Sequence, residues 1–230
     1  MKKPYIKKVK KVEETNVFIV DGRFIRTNID KEFTNFGQHY RFPFIPQDEL
    51  WIDKERVSGE LDFFVTHLIV ERKMMEQGKS YKEAIDIADE IEKKERAKSE
   101  LSKMIKRLPK DERLEKVKKV KLISAGKISV WLVSGELVRS LLYIDFTEGG
   151  HDKVYSFVPE NEVWIDDDLS LPERKFIIAH ELNERWLMSR GKNYNSAHFP
   201  SSSLEFFCRK HEPTTPFIMF FLKFANRFLI

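Results

Sequence analysis

The sequence predicts an α+β protein that arose by tandem duplication of a strand-hairpin-plus-two-helix unit, with pseudo-twofold symmetry. One observation is an internal repeat: FIPQDELWID at 44–53 matches FVPENEVWID at 157–166, an offset of 113 residues (157 minus 44). A second is that each copy presents short apolar runs before its amphipathic runs. Strands followed by helices within one unit are typical of α+β folds.

The same offset holds without a gap on both sides of this motif. The identical pairs include Gly22 and Gly135, Arg26 and Arg139, His67 and His180, Glu71 and Glu184, Arg72 and Arg185, and Tyr81 and Tyr194. So many identities at one spacing indicate an internal duplication rather than a chance match.

The repeats divide the chain into five segments. We assign 17–91 to repeat 1 and 122–211 to repeat 2, with a basic N-terminal arm at 1–16, a charged helix or linker at 92–121 and an apolar C-terminal tail at 212–230. Acidic residues are interleaved with the lysines of the linker, which favours a solvated helix over a nucleic-acid-binding arm.

Each repeat is expected to open with a β-hairpin. The two apolar runs are Val17–Ile25 and Val130–Val138, and the turns are placed at Asp21-Gly22 and Ser134-Gly135. A turn residue followed by glycine between two apolar runs is a hairpin signal. A strand rich in Phe and Tyr and a strand ending in Trp-Ile-Asp should follow.

Two helices should complete each repeat. The first is expected near 59–77 in repeat 1 and near 172–190 in repeat 2, where Gly191 would follow its C-terminus. The second should be long in repeat 1. In repeat 2 we expect Pro200 to interrupt it, because proline removes a backbone donor and clashes with the preceding turn.

The helix near 172–190 carries the best functional clue. Ser170 and Glu173 form an S-x-x-E capping-box pattern at its start. His180 and Glu184 lie one turn apart in the middle of its apolar stripe, which should face the core. Buried charge is costly unless it is paired or bound to a metal, so this pair needs a partner.

Only repeat 2 adds further chemical groups around that pair. Glu181 stands where repeat 1 has Leu68, and His198 stands where repeat 1 has Ile85. These differences suggest that, within a duplicated fold, repeat 2 has a functional site and repeat 1 has a degenerate one.

We therefore predict a zinc site in repeat 2. His180 and Glu184, at i and i+4 on one helix, can grip one ion, and His198 from the next helix would be the third ligand. Zinc accepts histidine nitrogen and carboxylate oxygen in this way. Glu181 would then act as the general base that takes a proton from water at the metal.

The segment His180-Glu181-Leu182-Asn183-Glu184, with His198 downstream, resembles the H-E-x-x-H signature of the zincin metallopeptidases. The resemblance implies that His180 and His198 bind zinc, that Glu181 is the general base, and that the substrate is a peptide or protein. It covers a small part of the chain. Glu184 occupies the position of the second histidine, so the pattern is an H-E-x-x-E variant.

A non-enzymatic interpretation is also open. His180 and Glu184 would then form a buried hydrogen-bonded pair, with Arg185 or Arg72 balancing the carboxylate. The recurrence of the pair in repeat 1, which lacks the added groups, favours this view. The protein would be a pseudo-symmetric binding or assembly protein.

Other polar residues are assigned structural roles. Asp166–Asp168 should form a solvated turn after a strand, and Cys208 should be a buried apolar filler. His151 and His211 are expected to be exposed. Glu205 could face the site only if a regular helix connected it to His198, which Pro200 argues against.

Composition limits the remaining classes of function. Lys and Arg number 41 against 37 for Asp and Glu, so the net charge of +4 does not argue for nucleic acid or for a membrane surface. A single cysteine and no signal-peptide pattern suggest a reducing, cytoplasmic compartment. The apolar tail at 212–230 is too short to span a membrane, and we expect it to pack on the domain or on a second copy.

Overall fold

The computed structural model describes residues 4–56 and 59–227. The chain forms two compact units. Unit 1 comprises Met1–Arg113 and Arg139–Asp145, and unit 2 comprises Leu114–Val138 and Phe146–Ile230. Each unit contains a four-stranded sheet and packed helices, which confirms the α+β class, and the likeness of the two sheets is consistent with tandem duplication.

The elements follow the same order in both repeats. In the first half they are β1 (Tyr5–Val12), β2 (Thr15–Val20), α1 (Gly22–Asn28), β3 (Phe36–Gln38), β4 (Glu49–Asp53), α2 (Leu61–Glu76), α3 (Tyr81–Lys98), α4 (Glu100–Lys106) and α5 (Lys110–Val117). In the second half they are β5 (Lys118–Ala125), β6 (Ile128–Val133), α6 (Gly135–Leu141), β7 (Gly149–His151), β8 (Glu162–Asp166), α7 (Leu171–Ser189), α8 (Tyr194–Lys210) and α9 (Thr215–Arg227).

The two sheets have the same topology. Their strand orders are β1-β2-β4-β3 and β5-β6-β8-β7. In each sheet the two central strands are parallel, and both edge strands are antiparallel to their neighbours. The short strand β7 is therefore an edge strand, and it lies beside α7.

The core of unit 2 lies between the sheet and α7. β6 alternates buried and half-buried residues, as expected of a strand with one face on a core. Val130 and Val163 of the sheet belong to one apolar cluster with Phe176, Ile177 and Leu182 of α7. Full burial of such a side chain contributes about 1.5–3 kcal/mol, so this contact fixes the position of α7 on the sheet.

The predicted hairpin turns are wrong. Asp21 is the N-cap of α1, and its side chain accepts a hydrogen bond from the Phe24 N–H, so the chain enters a helix where a second strand was expected. Ser134 likewise accepts from the Leu137 N–H at the start of α6. The hairpin of repeat 1 is formed earlier, by β1 and β2, with Glu13 at φ 53° in its turn.

Pro200 does not interrupt the second helix of repeat 2. α8 continues through it from Tyr194 to Lys210. Pro200 lacks the N–H that would bond the carbonyl of Ser196, and the side chains of Ser201 and Ser203 donate to the next carbonyls along, those of Ala197 and Phe199. Because the helix is continuous, residues on both sides of Pro200 can face α7.

Several predicted features are confirmed around α7. Ser170 is its N-cap residue, and Gly191 follows its end at φ +89°, a conformation that glycine adopts without strain. The side-chain hydrogen bond expected from a capping box is not formed at this N-cap. Glu173 instead accepts a hydrogen bond from Arg209.

The segments outside the repeats also form regular structure. Part of the arm at 1–16 forms β1, and the charged segment at 92–121 contains the end of α3, then α4, α5 and the start of β5. Residues 1–3 and 228–230 lie outside the described part of the chain.

The helix α9 has one packed face and one aromatic face. Met219, Leu222 and Asn226 are buried against the unit, whereas Phe217 and Phe220 are 68% and 64% exposed. Asn226 donates to the backbone carbonyl of Leu182 in α7, which anchors the helix. Within residues 4–56 and 59–227, no helix combines the length and the apolar character needed to cross a bilayer.

Candidate metal centre

The site of repeat 2 lies where three elements meet. α7 contributes His180 and Glu184 from its buried face, α8 contributes His198, and the end of the edge strand β7 contributes His151. The spacing of four residues places His180 and Glu184 one above the other on the helix. The packing of α7 on α8 then brings His198 to the same point.

The three predicted ligands converge. His180 Nε2 lies 3.5 Å from Glu184 Oε2, and His198 Nδ1 lies 2.7 Å from the same oxygen. In a tetrahedral zinc site with bonds of about 2.0–2.1 Å, two ligand atoms are roughly 3.4 Å apart. The first distance already fits such a site, and the second would lengthen by about 0.7 Å.

A glutamate that we did not expect at the site completes the environment of His180. Glu205 Oε2 lies 3.0 Å from His180 Nδ1, and Arg209 donates to Glu205 Oε1 at 2.8 and 3.0 Å. Glu205 reaches His180 because α8 is continuous through Pro200. A carboxylate on Nδ1 leaves Nε2 as the ligand atom, which is the usual arrangement around a metal-bound histidine.

His151 is buried, and the expectation that it would be exposed is wrong. Its Nε2 lies 3.1 Å from Glu184 Oε1, and its Nδ1 accepts a hydrogen bond from the Lys153 N–H at 3.2 Å. Because Nδ1 is an acceptor, the neutral ring carries its proton on Nε2 and donates it to Glu184. His211, in contrast, is exposed as expected.

Three imidazoles therefore surround one carboxylate. Burial alone would raise the pKa of Glu184, but hydrogen bonds from His151, His180 and His198 outweigh it and hold the pKa well below its usual value. Burial would lower the pKa of His180, yet hydrogen bonds to Glu184 and Glu205 raise it well above its usual value. A proton and a metal ion are thus alternative partners for His180 Nε2.

Glu181 faces the same place with a different electrostatic character. Burial, aided by the nearby carboxylates of Glu184 and Glu205, raises its pKa to about 8, against the opposing influence of His180. A Cβ at Gly149 would lie 3.1 Å from Glu181 Oε1, so the glycine of β7 makes room for this carboxyl. A cation close by would favour the ionised form of Glu181.

A pocket gives access to these groups. It measures about 350 Å³, counting its open mouth, and its lining includes His180, Glu181, Glu184 and His198. The rest of the lining includes Gly149 and Gly150 of β7, with Tyr155 and Tyr194.

A second group of possible ligand atoms shares Glu184. His151, Glu181 and Glu184 also offer ligand atoms within 4.8 Å of one another. His151 differs from His180 in that its Nδ1 accepts a backbone N–H, so the proton of the neutral ring stays on Nε2 and that nitrogen has no lone pair for a metal. The Nδ1 of His180 faces a carboxylate, so the neutral ring can keep its proton there and leave Nε2 free. The group of His180, Glu184 and His198 is therefore the better candidate for a metal site.

The third acidic group, Asp166–Asp168, has structural roles. Asp166 ends β8 as predicted, but it is buried, so the expectation of a solvated turn is wrong at this residue. It accepts from the Asp168 N–H, and Asp167 accepts from the Gly135 N–H and pairs with Lys119. Cys208 is buried, as expected, and burial raises the pKa of its thiol.

Repeat 1 has the same buried histidine–glutamate pair as repeat 2 but has no counterpart of Glu181 or His198. His67 Nδ1 lies 2.9 Å from Glu92 Oε2, and its Nε2 lies 3.4 Å from Glu71 Oε2. Gln38 donates to Glu71 Oε1 at 2.7 Å, at the position of His151 in repeat 2. Burial would lower the pKa of His67, but hydrogen bonds to the two glutamates raise it to about 9.

Neither arginine proposed to balance the buried carboxylates does so. Arg185 donates to Asp152 at 2.7 and 2.9 Å, and Arg72 donates to the Thr15 hydroxyl. The histidines provide the compensation instead. The carboxylate of Glu184 is therefore compensated by imidazoles, whose charge depends on their protonation.

Comparison with known proteins finds no match to any family model, to any curated protein or to any solved structure.

Proposed function

We propose that repeat 2 is a zinc-dependent hydrolase centre in which His180, Glu184 and His198 hold the metal and Glu181 is the general base. The observation that carries the proposal is the convergence of His180 Nε2 and His198 Nδ1 on Glu184 Oε2, at 3.5 and 2.7 Å. Hydrogen bonding of His180 Nδ1 to Glu205 supports it, because this contact directs Nε2 to the shared point.

The donor set suits zinc better than calcium or magnesium. Two imidazoles and one carboxylate match the ligand preference of zinc, and three protein ligands are typical of catalytic zinc sites. The side chain of His198 is 36% exposed, whereas that of Glu184 is 4% exposed, so the site opens towards the pocket on one side. Substrate would approach from that side.

The chain's own residues have separable roles in the proposed reaction. Zinc supplies Lewis acidity and lowers the pKa of water. Glu181 accepts a proton from the attacking water and passes it to the leaving group. Glu205 keeps His180 in position.

We propose a peptide or protein as the substrate. The edge strand β7 lines the pocket with Gly149 and Gly150, next to Glu181. An extended peptide can add to a sheet edge through its main chain, which would carry a peptide bond past the site.

A second candidate function is non-enzymatic binding or assembly, with a structural His–Glu pair in each repeat. It is favoured by the network of His67, Glu71 and Glu92, which has the same geometry without Glu181 or His198 equivalents. Under this view the histidines and glutamates of the repeat 2 network would share protons and bind no metal ion.

Metal analysis of the purified full chain distinguishes the two. We expect about one zinc per chain after dialysis, lost in His180→Ala and in His198→Ala. His67→Ala is the matched control, because it disrupts the equivalent network of repeat 1 and should keep the zinc. A wild-type protein that binds no zinc, even when zinc is added, would support the non-enzymatic function.

A further inference from the structure

The edge strands of the two repeats present different residues in one hydrogen-bonding role. In repeat 1, Gln38 at the end of β3 donates from Nε2 to Glu71 Oε1 at 2.7 Å. In repeat 2, His151 at the end of β7 has its Nε2 3.1 Å from Glu184 Oε1. The two positions are separated by the same 113 residues that relate the repeats.

In both repeats this contact gives the two oxygens of the helix glutamate, Glu71 or Glu184, different partners. One oxygen, Oε1, accepts from the edge strand, and the other, Oε2, faces the helix histidine four residues earlier. A carboxylate held by one oxygen cannot rotate to present both oxygens to an ion. In repeat 2 the remaining oxygen is the atom that His198 also approaches.

We propose that His151 is a positioning residue that fixes Glu184 through Nε2–H and leaves Oε2 for the metal. This inference rests on the proposed zinc site and adds to it a residue that is neither ligand nor general base. The side chain of His151 is 0% exposed, so it acts from within the protein.

Two observations separate this role from that of a metal ligand. The Lys153 N–H donates to His151 Nδ1, which places the proton of the neutral ring on Nε2. The amide nitrogen of Gln38, which makes the equivalent contact in repeat 1, is a donor and has no lone pair to offer a metal. The shared feature of the two residues is therefore donation and not coordination.

The chain itself supplies the test substitution. His151→Gln places in repeat 2 the donor that repeat 1 uses, and His151→Leu removes the donor at similar bulk. Zinc competition with a chromogenic chelator, together with the visible spectrum of the cobalt(II)-loaded protein, measures the outcome. We expect His151→Gln to bind zinc within about threefold of wild type, and His151→Leu to lose about 10–100-fold, as other lost outer contacts of metal ligands do.

Gln38→Leu is the matched control for the general effect of losing a buried donor. It should destabilise its repeat and leave zinc affinity and the cobalt spectrum unchanged. If His151→Gln loses as much affinity as His151→Leu, and both change the cobalt spectrum, His151 is a ligand and the inference is overturned. Equal, unchanged affinity in both variants would also overturn it.

A readout that needs no metal keeps this inference separate from the proposed function. The ¹⁵N spectrum of histidine-labelled, metal-free protein should show His151 protonated on Nε2, and His151→Gln should unfold closer to wild type than His151→Leu does. If wild type binds no zinc while these results hold, the zinc proposal fails and the hydrogen-bonding role of His151 stands. Protonation of His151 on Nδ1 would refute the role in either case.

Discussion

Removal of Arg209 should destabilise repeat 2 and also weaken its metal site. Arg209 lies between two carboxylates: it donates to Glu173 at 2.5 Å and to Glu205 at 2.8 and 3.0 Å. The side chains of Arg209 and Glu173 are 2% and 0% exposed, so Arg209→Met would remove the cation of a buried ion pair. Breaking a buried pair in this way costs about 3–5 kcal/mol.

The weaker metal binding would arise through His180, a proposed ligand. Glu205 holds Nδ1 of His180, and without Arg209 its orientation would no longer be fixed from the other side. Loss of such an outer contact weakens metal binding by roughly 10–100-fold. Urea unfolding followed by circular dichroism measures the first effect, and zinc competition measures the second. Arg209→Lys should fall between wild type and Met, because a lysine cannot form the paired contacts of a guanidinium.

Arg96 in repeat 1 provides the matched control. It pairs with Glu60 at 2.7 Å and with Glu92 at 2.7 Å, at the positions equivalent to Glu173 and Glu205, but Glu60 also accepts a hydrogen bond from Arg139 at 2.8 Å. We expect Arg96→Met to cost less unfolding free energy than Arg209→Met, because Arg139 still pairs with Glu60, and to leave zinc affinity unchanged. The reasoning is refuted if Arg209→Met costs less than about 1 kcal/mol, or if both variants lose zinc affinity equally.

Four further expectations follow from the structure. Glu181→Gln should keep its zinc and lose about 10²–10⁴-fold in peptide hydrolysis, measured with a quenched fluorescent peptide library. Gly149→Ala should reduce the same activity, since its Cβ would lie 3.1 Å from the carboxyl of Glu181. His67, with its pKa raised from 6.5 to about 9, stabilises the fold fully below pH 6.5. That contribution, about 3 kcal/mol, should be lost between pH 6.5 and 9, as measured by urea unfolding of wild type and His67→Gln. Finally, the exposed face of α9 should drive self-association, so Phe220→Ser with Phe224→Ser should lower the mass seen by light scattering at high protein concentration.

Each of these expectations has a contradicting result. Full hydrolysis by Glu181→Gln would exclude it as the general base, and full activity of Gly149→Ala would show that the space beside it is not needed. Equal pH dependence of unfolding in wild type and His67→Gln would show that His67 does not carry the effect. A wild-type mass that stays monomeric at all concentrations would remove the proposed role of α9.

The fold class and the pairing of His180 with Glu184 could be predicted from the sequence because they depend on local patterns. The 113-residue offset fixed the duplication, and the 3.6-residue periodicity placed His180 and Glu184 on one buried face. The hairpin turns were misplaced because Asp21 followed by glycine suits both a tight turn and a helix N-cap. The cap is formed here.

The rest of the site depended on tertiary contacts. His151 is three residues from the nearest apolar run, so no local pattern indicates its burial. It is buried because it ends the short edge strand β7, which lies beside α7. The sequence does not place Glu205 at the site, because Pro200 predicts a break in the helix that connects Glu205 to His198. The sequence does contain one signal for this contact. Glu92 and Arg96 match Glu205 and Arg209 at the same offset of 113 residues, so the internal repeat indicates that Glu205 and Arg209 belong to the buried network.

The most direct test is a crystal of the zinc-loaded protein measured on both sides of the zinc absorption edge. The account predicts one anomalous peak in repeat 2, bounded by His180 Nε2, Glu184 and His198, with His151 hydrogen-bonded to Glu184 and outside bonding distance of the ion. A peak bonded to His151 and Glu181 instead, or no peak in this repeat at saturating zinc, would contradict it.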